Sequence, residues 1–203
     1  MVQAVERSRV ETFLWAVLAG VAIGCLTLLG QSVLGPGWHR LTNSGAVWSL
    51  VAFAVGTRAA SDRQAAVAGL ATLILAVASY YAAAVLFVDA GVAPRSLVIW
   101  GVTACVAGPV FGLAGRWWRV ETSARRRVAA LCVLGAVFVA EGLWSLLRIP
   151  GDEPAATVEI VVGVLVPAAL ARTGRERISV LAWLAPISIL ILGFESLVDL
   201  MFR

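Results

Sequence analysis

Glu141, Glu159, Glu195 and Asp199 sit inside, or at the edge of, long apolar runs. An ionisable group in hydrocarbon is costly, at least about 2.5 kcal/mol for Asp on insertion scales, so each is a candidate functional residue. Glu195 and Asp199 are four residues apart, and a helix places both on one side. Glu141, Trp144 and Arg148 follow i, i+3, i+7 spacing and share another face. Carboxylates brought close together favour a shared proton. The π face of Trp144 or Tyr80 attracts a cation, or stabilises a carbocation. Tyr81 and Asn43 complete the set of candidate ligand-binding residues. Adjacent helical residues point about 100° apart, so Tyr80 and Tyr81 cannot both face one cavity. The chemistry this pattern offers is proton exchange, cation binding or acid-initiated catalysis.

The elements that must position these residues are membrane helices. The 203-residue chain is 61% hydrophobic and 14% charged, too little charge to cover a soluble domain. Apolar runs predict seven spans at 13–34, 44–60, 65–87, 96–117, 128–147, 155–171 and 178–201. Each is near the length needed to cross a bilayer core of roughly 30 Å, the second and sixth being the shortest. Gly35-Pro36-Gly37, Asp62-Arg63, Gly91 to Pro94, Arg125 to Arg127, Pro150-Gly151 and Thr173-Gly174 punctuate them. The expected fold is all-α: one transmembrane bundle over residues 1–203. The first run is too long for the core of a signal peptide and reads as an uncleaved span.

Arginine placement supports the count. All sixteen basic residues are arginine. Sorted by loop, twelve fall on one side and four on the other: Arg40, Arg95, Arg148 and Arg203. Positive residues mark cytoplasmic loops, so the N-terminus is expected inside and the C-terminus outside. Trp15, Trp117, Trp118 and Trp183 then fall near the inner interface. Trp38, Trp48, Trp100 and Trp144 fall near the outer one, as aromatic belts require. With this topology Glu141, Glu159, Glu195 and Asp199 all map to the outer half. Gln31, Asn43, Ser44, Tyr80, Tyr81, Asp89 and Trp100 join them at that depth, while the inner halves look nearly free of such groups. The pattern predicts a pocket open to the extracytoplasmic side, with Glu141 near Glu195 or Arg148. Pro109, Pro167 and Pro186 lie inside spans and tend to kink them.

Several functions are excluded or disfavoured. Cys25, Cys105 and Cys132 are scattered in apolar segments, and His39 is the only histidine. No metal site or cofactor is expected from this chain alone. It has no Walker loop, GxGxxG before a helix, HExxH or GxSxG, and therefore no ATPase of its own. A retinal Schiff base needs a lysine, and there is none. A charge of +4, explained by topology, gives no reason to expect nucleic acid.

Thr42-Asn43-Ser44-Gly45-Ala46-Val47-Trp48, Ser79-Tyr80-Tyr81, Gly108-Pro109 and Glu141-Gly142-Leu143-Trp144 resemble a family of uncharacterised small actinobacterial integral membrane proteins. The resemblance implies a multi-pass protein of a bacterial plasma membrane and brings no activity. The reading best matched to the residues is a small-molecule-binding membrane protein, a transporter or transporter subunit with its site in the outer half. Its partners would be the lipid bilayer, a small-molecule ligand and other membrane subunits. Alternatives are a membrane-embedded, acid-initiated enzyme acting on a lipid or isoprenoid, and a structural or assembly subunit without ligand. Gly20-x-x-x-Gly24 is either a coupling motif or ordinary helix packing.

Overall fold

In hydrocarbon a backbone must satisfy its own hydrogen bonds, and each apolar run does so as a helix. A computed structural model describes residues 2–35, 37–91, 93–120 and 123–201. Side chains are described from Arg9 onward, except those of 194, 195 and 197–201. The helices are α1 (Val2–Val33), α2 (His39–Thr42), α3 (Gly45–Gly56), α4 (Asp62–Val88), α5 (Pro94–Val120), α6 (Ala124–Arg148), α7 (Glu153–Leu170) and α8 (Gly174–Met201). No strand occurs among the described residues.

Six of these helices are long and apolar enough to cross a membrane: α1, α4, α5, α6, α7 and α8. Apart from the single turn α2, the exception is α3, which corresponds to the second expected span. Its 12 residues reach only about 18 Å, short of a bilayer core of roughly 30 Å. Before α3, residues 37–44 form turns around the single helical turn α2. Even so, α3 runs back alongside α1. Near its start, Thr27 donates to the Thr42 carbonyl at 2.7 Å and accepts from Trp48 Nε1 at 3.0 Å. Past its end, Thr12 reaches the Arg58 carbonyl and the Arg58 guanidinium lies 4.4 Å from the Trp15 ring centroid. Trp48 is therefore a core residue, only 5% exposed, and not the interfacial anchor expected of it.

The bundle is built inside out relative to a soluble protein. Its buried positions are rich in alanine and glycine, while Leu18, Leu86, Phe87, Val98, Leu147 and Leu190 face outward. Small residues let backbones approach closely where lipid and core are equally apolar. Gly108, Gly112 and Gly115 of α5 press directly against the backbones of α3 and α4. Gly20 and Gly24 of α1 do the same against Thr72 and Ala76 of α4, which is helix packing. On the other side α6 packs with α7 and α8, and Gly135 and Gly163 meet at the α6–α7 crossing. Pro109, Pro167 and Pro186 lie inside α5, α7 and α8.

One end of the bundle gathers arginine. There Arg116 pairs with Asp62 at 2.8 Å, and Arg172 donates to the carbonyls of Trp118 and Arg119. Arg127 of α6 forms a buried ion pair with Glu176 of α8, whose other oxygen accepts from the Arg172 amide. Glu176 is 4% exposed, so this end holds a buried acid the sequence did not suggest.

Candidate functional site

The opposite end of the bundle contains the candidate site, and it starts from a problem of backbone chemistry. A helix leaves its first amides without intrahelical partners, and Ser44 and Ala46 at the start of α3 are fully buried. The start of α3 solves this with a side chain from α6. The Gly45 amide donates to Glu141 Oε1 at 3.1 Å and the Ala46 amide to Oε2 at 2.7 Å. Ser44, the N-cap, accepts from the Val47 amide at 3.2 Å and donates its hydroxyl proton to Glu141 Oε2 at 3.1 Å. A carboxylate at a helix N-terminus is also favoured by the helix dipole. Glu141 is thus the internal anion for α3, seven residues before the end of α6.

Arg40, on the single turn α2, supplies the cation. Its Nη2 lies 3.6 Å from Glu141 Oε1, and its Nε lies 3.6 Å from Asp152 Oδ2. Its guanidinium carbon sits 5.0 Å from the centroid of the Trp144 ring. Asp152, the N-cap of α7, is 5% exposed and accepts from Ser145 Oγ at 3.3 Å. The two rim loops also meet through backbone. Gly37 and Gly151 both have positive φ, at 83° and 92°, and a Cβ on Gly37 would lie 2.8 Å from the Gly151 carbonyl oxygen. Only glycine tolerates that pairing of conformation and contact.

Beside this cluster stands an aromatic group. The Trp48 ring lies 6.3 Å from Tyr80 and 5.9 Å from Trp100, and Tyr80 lies 5.2 Å from Tyr81. Tyr80 donates to Gln31 Oε1 at 3.1 Å. A cavity of about 20 Å³ opens between Gly45, Trp48, Trp100 and Ala104, with room for about one water.

The other expected residues are placed as follows. Glu159 is 1% exposed on α7, packed across from Gly142 beside Glu141. Asn43 is half-buried and ends α2. Arg148 is exposed at the end of α6, and the cation at Glu141 is Arg40. Glu195 and Asp199 lie on α8, but their side chains are outside the described residues. Cys25 and Cys105 are exposed, and the buried Cys132 is free. Among the described residues no group of His, Cys, Asp or Glu could hold a metal ion.

Arg40 and Asp152 are the two members that sequence reasoning did not select. In the sequence Arg40 reads as a topological marker, and nothing singles out Asp152 as a site residue. The available signals were local: a serine before an apolar helix, and an aspartate before Glu153-Pro154 at a helix start.

The chain belongs to a family of unknown function, DUF6518, whose model matches residues 3–200. No curated protein and no solved structure matches it.

Proposed function

Taking that membership as the premise, we propose that the protein is a seven-pass plasma-membrane protein that binds a small molecule in its outer half, acting as a transporter or transporter subunit. The observation that carries this reading is Glu141 at the buried start of the short helix α3, with Arg40 and Asp152 beside it. Helices that begin within the membrane, with charged groups at their ends, are a recurrent way of building transport sites. The acid-initiated enzyme is less well matched. Glu141 already accepts from three donors, whereas general acid catalysis needs a carboxyl group free to give a proton to substrate.

Purification in mild detergent, followed by mass spectrometry of co-purifying molecules, tests the reading. Wild type is expected to retain a small molecule or an ATPase-bearing partner that Glu141→Gln loses. Identical sets from both proteins would overturn it.

The seven-pass arrangement is supported by the arginine-rich end and by α3 running back along α1. It predicts that a phosphatase reporter, active only outside the cytoplasm, is active when fused after Arg203. A well-expressed but inactive fusion would rule out the odd number of passes.

A further inference from the structure

Resting on that reading, we infer that the outer cluster is a seat for an organic cation of guanidinium or substituted-ammonium type, with Arg40 the internal group that holds the seat and gives way to it. The argument starts from how unequally the members are held. Glu141 is fixed by Ser44 Oγ and the amides of Gly45 and Ala46 at 3.1, 3.1 and 2.7 Å. Asp152 is the N-cap residue of α7, 5% exposed, and its carboxylate accepts from Ser145 Oγ at 3.3 Å. Glu141 is held without help from Arg40, and Asp152 is placed by the backbone at the start of α7.

Arg40 is held much less firmly. Both of its ion pairs are at 3.6 Å, beyond the roughly 2.7–2.9 Å of a charge-assisted hydrogen bond. Its Nε is buried with no hydrogen-bond partner among the described residues. It stands on a four-residue turn, and its side chain keeps 23% exposure. A guanidinium retained by charge and an indole face, but not by hydrogen bonds, is readily exchanged for another cation of similar shape.

The seat it leaves has a definite chemistry. Two carboxylates flank it, and the Trp144 ring provides a π face for a weakly hydrated cation. The Trp144 indole N–H is a second, separate sign of a missing partner. It is buried and has no acceptor among the described residues. A ligand with a cationic head and a neighbouring hydroxyl or carbonyl satisfies both features. A small inorganic cation gains little from the ring and does not reach the indole donor.

The test uses butylguanidinium chloride with the full-length protein in detergent, and sodium chloride at matched ionic strength as control. Thermal unfolding is followed by tryptophan fluorescence. Wild type should show a saturable rise in melting temperature, weakened about tenfold or more in Asp152→Asn, as loss of one charged partner implies. Arg40→Ala should bind the probe more tightly than wild type, because the internal competitor is gone. A response equal in sodium chloride, no saturable response in wild type, or tighter binding in Asp152→Asn would overturn the proposal. Should Arg40→Ala fail to fold, Arg40→Gln and the Asp152→Asn comparison carry the same decision. Proteoliposome uptake separates the two readings. Saturable binding without uptake of the probe keeps the seat and counts against transport. Glu141-dependent uptake of an anionic or neutral solute, with no binding of the probe, keeps transport and removes the seat.

Discussion

Replacing Glu141 by alanine should cost the folded protein about 3–5 kcal/mol, the range for removing one partner of a buried charged cluster. The loss is collective. Two α3 amides and the Ser44 hydroxyl lose their acceptor, and Arg40 keeps only Asp152. Each stranded buried donor costs about 1–3 kcal/mol on its own. Glu141→Gln should be distinctly milder, because its carbonyl oxygen still accepts from one or two of the same donors. The measurement is thermal unfolding in detergent, with the monodisperse fraction after size exclusion as a second readout. If alanine and glutamine are tolerated equally well, Glu141 does not cap α3.

The second large effect is steric. Gly112 lies where α3, α4 and α5 converge, and a Cβ there would run into the Ala65 carbonyl oxygen. Gly56 of α3 presses on Gly112 from the other side, against its carbonyl. Backbone cannot step aside as a flexible side chain can, so Gly112→Leu must force helices apart. Overpacking typically costs about 1–3 kcal/mol and occasionally more, and a three-helix crossing belongs at the upper end. Gly101, on the same helix, supplies the control, since a Cβ there meets nothing within 4 Å. Gly101→Ala should be neutral or slightly stabilising, as helix propensity favours alanine by up to about 1 kcal/mol. Equal behaviour of the two variants would mean that the seam is looser than described.

These two sites also show what was legible before the fold. The all-helical class and the approximate ends of the six long helices are legible from apolar runs and breakers, which are local and periodic, whereas the seventh expected span is the 12-residue α3. Arginines gathered at one end because charge and hydrocarbon exclude each other, again without reference to packing. Glu141 stood out because an acid in an apolar run is expensive wherever it sits. Its partners were not visible, because Ser44, Gly45 and Ala46 lie almost a hundred residues away and two of them act through backbone. Arg40 was assigned to a loop because hydropathy cannot distinguish a rim that stays in solvent from one that folds over a buried acid. The buried Arg127–Glu176 pair was hidden for a related reason, since Glu176 lies among arginines at the start of α8. The expected span runs past the end of α3 at Gly56, through Thr57 and Arg58 to Ala60, because a glycine inside an apolar run does not by itself mark a helix stop.

The dependence of α3 on Glu141 has a consequence for synthesis. During translation α3 emerges ninety-odd residues before the side chain that completes its start. A 12-residue apolar segment is also too short to settle stably across the bilayer by itself. Until α4 and α5 supply a seam and α6 brings the acid, the start of α3 lacks both its packing partners and the acceptor for its first amides. The first third of the fold is thus complete only once α6 has been made.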